Sequence, residues 1–134
     1  MDRGEQLMQE TDPKAVVEAY LQAFEVRDLS RCMELYDEDG LLIFGPPAFG
    51  LGRFQGKEAI KQWHKDRFSG GMRIVEIEEM VVEGDTVTVY AVATSPGLKA
   101  VVIDELRGMG TFVVQQGKIK EVRLGLRRGY RFHI

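Results

Sequence analysis

The stretch VVEAYLQAFEVRDLSRCMELYDEDGLLIF, residues 16–44, decides the architecture of this chain. Val17, Tyr20, Leu21 and Phe24 fall at i, i+3, i+4 and i+7. Leu29, Cys32, Met33 and Tyr36 repeat that spacing after a break at Arg27-Asp28. The pattern predicts two short helices, each burying one stripe, and then an apolar strand ending at Phe44. Asp12 before Pro13 predicts an N-cap with proline at the first helical position, and Asp28 can cap the second helix in the same way. Ile60, Trp63, His64 and Arg67 mark a third helical stripe entered through Gly56. The polar tips of Tyr20, Tyr36, Trp63 and His64 are thereby directed at an apolar interior that satisfies them poorly, which predicts a ligand pocket.

Beyond Phe68 the apolar period changes from helical to two. Ile74 to Val82, Thr86 to Thr94, Ala100 to Gln115 and Lys118 to Leu126 read as strands. Gly84-Asp85, Ser95-Pro96-Gly97 and Gln116-Gly117 separate them as turns, so the strands form consecutive antiparallel hairpins. The fold class that follows is α+β, a curved, mainly antiparallel sheet wrapped around three helices. In the last strand Val122, Leu124 and Leu126 share one face, opposite Glu121 and Arg123. Gly108 and Gly110 suit a sharp bend or an inward face kept empty for a ligand, with Ala91 and Ala93 across from them. Counting back by twos from an inward Phe112 gives Gly110, Gly108, Leu106 and Asp104. A one-residue slip would exchange Asp104 for Glu105.

With 134 residues and 44% hydrophobic content, the chain builds one domain with a real core. Residues 1–12 read as a tail and 13–134 as that domain. A net charge of −3 argues against general nucleic-acid binding by phosphate neutralisation. The basic C-terminal segment (Lys118, Lys120, Arg123, Arg127, Arg128 and Arg131 against Glu121) reads as a solvated strand face. Cys32 is the only cysteine, so no internal disulfide forms, and its place on a buried stripe makes it a small core residue. With no bilayer-length apolar run and no signal-peptide-like N-terminus, no membrane partner is expected and a cytoplasmic location is. Two histidines without ligand spacing imply no metal site. GPPAFGLGRFQG, residues 45–56, does not open into a helix as a phosphate cradle would, so no cofactor is expected either. That segment reads as a flap, stiffened by Pro46-Pro47 and weighted by Phe49, Leu51 and Phe54, or as an ordinary loop on the sheet.

The order helix, helix, strand, loop, GKEAIKQWH helix and four strands, with VVQQGKIKEVRLGL near the end, resembles the nuclear transport factor 2-like superfamily over residues 13–126. That superfamily includes SnoaL-like polyketide cyclases and ketosteroid isomerases. The resemblance implies a cone-shaped α+β barrel with a deep pocket for a small apolar molecule, commonly in a homodimer packed through the outer sheet face. It further implies that Tyr20 stands where the isomerases place a tyrosine donating to an oxyanion. Phe44 occupies the position of their catalytic aspartate, and Gly110 falls on or beside that of their second, protonated aspartate. Isomerase chemistry by that route therefore lacks both carboxylates.

His64 is then the substitute base, with Asp104 orienting it if that carboxylate faces inward, and Tyr20 polarising an oxygen. Tyr36, Phe44, Trp63, Gly108, Gly110, Phe112, Val122 and Leu124 are the expected lining. Each aromatic on a helical stripe also has a purely packing reading. Three functions stay open: an enzyme transforming a small apolar compound by proton transfer, isomerisation, cyclisation or hydrolysis; a protein that only binds such a compound; and a protein-interaction module. Tyr90 and Val92, apolar on the face opposite the core, point to the homodimer.

Overall fold

Proline fixes the φ that a first helical turn requires and lacks the N–H that such a turn leaves unpaired. Helix α1, Pro13–Glu25, accordingly begins at Pro13. Asp12 is its N-cap through the backbone, accepting from the Val16 N–H at 3.0 Å, while its side chain makes no capping bond. The computed structural model describes residues 12–45, 52–96 and 105–126. At the far end of α1, Arg27 takes a left-handed φ of +59°. The Asp28 N–H reaches the Ala23 carbonyl at 2.8 Å and the Arg27 N–H reaches that of Phe24 at 3.1 Å. This pair of bonds is the Schellman stop, here with arginine where glycine is usual. The Asp28 carboxylate then accepts from the Arg31 N–H at 3.0 Å and caps α2, Leu29–Glu34. The Arg27-Asp28 break thus ends one helix and starts the next.

Tyr36 is the first correction. The helical spacing runs on to it, but α2 stops at Glu34 and Tyr36 opens strand β1, Tyr36–Phe44. The Ile119 N–H donates to the Leu35 carbonyl at 2.7 Å, and Tyr36 pairs with Ile119, so a strand from the other end of the chain captures the backbone here. A second correction concerns residues 45–56. Gly52–Gln55 form strand β2, antiparallel to Leu41–Phe44, with Phe54 packed against the core. Extended backbone beside an edge with open hydrogen-bonding groups pairs with it. Phe49 and Leu51 lie outside the described residues.

Helix α3, Lys57–Ser69, follows Gly56 and buries Ile60, Trp63 and His64. Strands β3, Arg73–Glu83, β4, Thr86–Thr94, β5, Leu106–Gln115, and β6, Lys118–Leu126, complete the sheet. The six strands run in the order β2-β1-β6-β5-β4-β3, with β1 parallel to β6 and every other pair antiparallel. The strand expected over 100–115 is observed from Leu106, and residues 100–104 lie outside the described ones. In the β5–β6 hairpin Gln116 (φ +55°) and Gly117 (φ +75°) are both left-handed, the geometry that matches strand twist in a two-residue turn.

Register shifts at Ile74/Glu76 and Ile77/Glu79 in β3, and at Val113/Val114 between β5 and β6, add residues to one strand only. Such bulges bend a strand and increase its twist, so the sheet curls around the helices without closing. Val87, Val89, Phe112, Ile119, Val122 and Leu42 from the sheet join Val16, Val17, Ala23 and Ile60 from the helices in one buried cluster. Among the described residues no helix is long and apolar enough to cross a membrane.

Candidate functional site

Helical periodicity puts Tyr20 and Phe24 on the sheet-facing side of α1, and Trp63 and Arg67 on one side of α3. All four line a cavity of about 630 Å³ between these helices and the inner face of the sheet. Phe44, Phe112 and Leu124 add apolar surface from β1, β5 and β6, while Ala91, Gly108 and Gly110 leave space. Ala91 lies opposite Gly108 as expected, but Val89, not Ala93, is opposite Gly110. Ala93 faces Leu106 and still reaches the lining. Buried Tyr20, Trp63 and Phe112 mark the depth of the cavity, whereas exposed Asp66 and half-buried Arg67 mark its open side.

His64 sits behind Tyr20 and is not part of the lining. It is wholly buried, with Nδ1 2.8 Å from the Ile60 carbonyl and Nε2 2.7 Å from the Tyr20 hydroxyl. A carbonyl can only accept, so Nδ1 carries the proton and donates to Ile60. Nε2 is then an acceptor, and the Tyr20 O–H donates to it. The Tyr20 proton is therefore committed to His64. Burial pushes the His64 imidazole down to about 4, partly opposed by its bond to Ile60, so the ring is neutral at pH 7. Burial, with Tyr36 nearby, likewise holds the Tyr20 hydroxyl well above its ordinary range.

Tyr36 stacks edge-on against Tyr20 with ring centroids 5.5 Å apart. The two phenols perturb one another, yet the Tyr36 hydroxyl has no hydrogen-bond partner. Tyr36 and Val122 correct the expected lining. Both are core residues, Tyr36 because it opens β1 beneath Tyr20, and Val122 because it pairs with Leu42 and Phe112 under the helices. Phe44, Trp63, Gly108, Gly110, Phe112 and Leu124 do line the cavity, and Asp104 lies outside the described residues. Phe24 and Arg67 were absent from the expected site, although each stands four residues after one of its members, Tyr20 and Trp63. That spacing was the signal. Cys32 is buried, and burial pushes its thiol up to about 12, which makes it a small core residue with no nucleophilic character.

The sequence profile of the SnoaL-like domain matches residues 17–122, a span that includes most of α1, all of α3 and nearly all of the sheet. The chain belongs to the SnoaL-like domain family. No curated protein matches the sequence significantly. Among solved structures, this SnoaL-like domain is similar to an NTF2-like protein of unknown function from Mesorhizobium loti, with 24% identity over 95% of both chains and a TM-score of 0.72. It is also similar to a protein assigned as a polyketide cyclase from Sinorhizobium meliloti, with 21% identity over 81% of this chain and 92% of that one, TM-score 0.68. A third is an LEH-like epoxide hydrolase of M. tuberculosis, 17% identical over 91% and 85%, TM-score 0.65. At these identities the SnoaL-like domain shares their fold, the curled sheet around three helices.

Proposed function

We propose that the cavity binds a small apolar molecule. The observation that carries this reading is the cavity's composition. Its surface is aromatic and aliphatic, its sheet side is kept low by Ala91, Gly108 and Gly110, and the polar group at its depth is already bonded to His64. Recessed apolar surface of this extent gains by taking up an apolar ligand. A neutral fluorescent probe, N-phenyl-1-naphthylamine, tests it. A Cβ at Gly108 meets nothing closer than the Gly125 carbonyl at 3.5 Å, so Gly108→Leu should fill the space and abolish probe binding at little cost in melting temperature. At Gly110 a Cβ would meet Leu124 Cδ2 at 2.9 Å and Phe112 Cε1 at 3.1 Å, so Gly110→Leu should lose binding and also cost about 1 to 3 kcal/mol by overpacking. Undiminished probe binding in both variants would remove the cavity from the reading.

A catalytic reading is favoured by one observation, the 2.7 Å bond joining cavity-lining Tyr20 to His64. A proton accepted from a ligand by the Tyr20 oxygen can be matched by transfer of the Tyr20 proton to Nε2, leaving a ligand anion and an imidazolium. His64 is then a positioning and proton-holding residue that never touches the ligand. Burial makes that imidazolium costly at pH 7, which favours binding without turnover.

The partner of this reading is a second copy of the chain. On the outer face Tyr90 stands opposite Met109, which is 38% exposed, whereas Val92, expected to add to that surface, is already buried within the single chain and adds nothing to it. Sedimentation should show a species of about twice the 15.2 kDa chain at micromolar concentration, because a stable pair buries on the order of 1,000 Å² or more. A 15.2 kDa species alone would rule the dimer out.

A further inference from the structure

The cavity holds one cation that answers to no anion. The Arg67 guanidinium lies over two rings at once, 5.3 Å from the centroid of Phe44 and 5.7 Å from that of Trp63. Stacking of this kind fixes a planar guanidinium without using its five N–H donors. Among the described residues no carboxylate forms an ion pair with Arg67 and no group accepts a hydrogen bond from it, although eight other cations, Arg27, Arg31, Lys57, Arg73, Arg107, Lys118, Lys120 and Arg123, have acceptors. Its neighbour Asp66 also lines the cavity, but that carboxylate is exposed and accepts from the Gln62 side chain at 3.0 Å. Beneath Arg67, the Trp63 indole N–H is buried without an acceptor. One end of the mostly apolar cavity therefore presents a charged fork of donors with no acceptor paired to it. At the other end, the Tyr20 proton is committed to His64.

We propose that the ligand is an amphiphilic organic acid, its apolar body in the cavity and its acidic oxygens held by Arg67. This rests on the proposed binding function and assigns the chemical class of its ligand. A guanidinium pre-set on two rings loses little freedom when it takes a carboxylate or sulfonate, and the fork of donors can engage two oxygens together. A neutral apolar molecule would leave the guanidinium as it is and gain nothing from it.

Two probes with one skeleton separate the contributions. 8-Anilinonaphthalene-1-sulfonate carries an anion that N-phenyl-1-naphthylamine lacks. The sulfonate should bind about tenfold tighter than the neutral probe at low salt, and that advantage should shrink as sodium chloride is raised. Arg67→Gln should weaken the sulfonate far more than the neutral probe, removing the advantage, and Arg67→Lys should restore part of it. Equal loss of both probes, or no change in either, would overturn the assignment. In the unaltered protein, dodecanoic acid should displace the neutral probe at lower concentration than its methyl ester does, a comparison that holds even where Arg67→Gln does not fold. Equal displacement by acid and ester overturns the assignment as well. If the neutral probe does not bind, or binds equally to Gly108→Leu, the cavity reading has failed and this inference fails with it. Neutral binding that depends on Gly108, with no preference for the acid, defeats the inference alone.

Discussion

Acidification from pH 7 to pH 4 is expected to cost this protein about 3 kcal/mol of stability through His64 alone. In the folded chain burial depresses the imidazole from 6.5 to about 4. In the unfolded chain the ring titrates near its ordinary value, so between those two points the unfolded state binds a proton that the folded state refuses. The stability is fully present above about pH 6.5, falls by about 1.4 kcal/mol per pH unit below it, and is exhausted near pH 4. Urea unfolding at a series of pH values measures it. His64→Gln should be less stable than the unaltered protein at pH 7, with a gap that narrows on acidification. Parallel pH profiles for the two proteins would mean that His64 is neither buried nor depressed. The Lys120–Asp37 pair, 2.7 Å apart, acts in a different window. Its hydrogen bond holds the Asp37 carboxyl below 3.8, so that contribution is lost only at still lower pH.

Given a compound that the protein turns over, His64→Gln should slow turnover by about 100-fold or more, the loss expected when the group receiving a proton is removed. Because His64 reaches a ligand only through Tyr20, Tyr20→Phe should be as damaging, and the double variant no worse than either. Effects that multiply would separate the two residues. Unchanged turnover in His64→Gln would end the catalytic reading and leave binding. The affinity of an apolar probe should survive both substitutions, since neither removes apolar surface from the cavity.

The helices and the four-strand meander were legible in the sequence because local rules govern them. Spacing at three and four placed Tyr20, Trp63 and His64 together on buried stripes, and period two with turn residues placed β3 to β6. Tyr36 was misread because its spacing continues α2, while its fate is decided by Ile119, 83 positions away. Segment 45–56 was misread for a similar reason. Gly52–Gln55 have little strand character of their own, and it is the free edge of β1 that extends them. At the site, alternation found Gly108 and Gly110, but the bulges in β3 and in the β5–β6 pairing lie beyond what alternation can see. The direction of the Tyr20 hydrogen bond was illegible as well. It follows from the Ile60 carbonyl fixing the His64 tautomer, a contact one helical turn away whose meaning appears only when both ring nitrogens have partners.

The sheet order has a consequence for how the chain comes together in time. β1 lies between β2 and β6, so its only neighbour from the first half of the sequence is a four-residue strand. A two-stranded hairpin is marginal by itself in water. During synthesis α1, α2 and the β1–β2 pair leave the ribosome long before β6 exists, and β1 waits with its other edge open. Closing that gap joins segments about 80 residues apart, a contact that is entropically expensive and slow to form. Until β6 arrives, the aromatic surface that will become the cavity has no wall on that side, and the open edge of β1 is a place where another extended chain can add. Strand β6 therefore both completes the cavity and ends the period in which the nascent chain is open to misassociation.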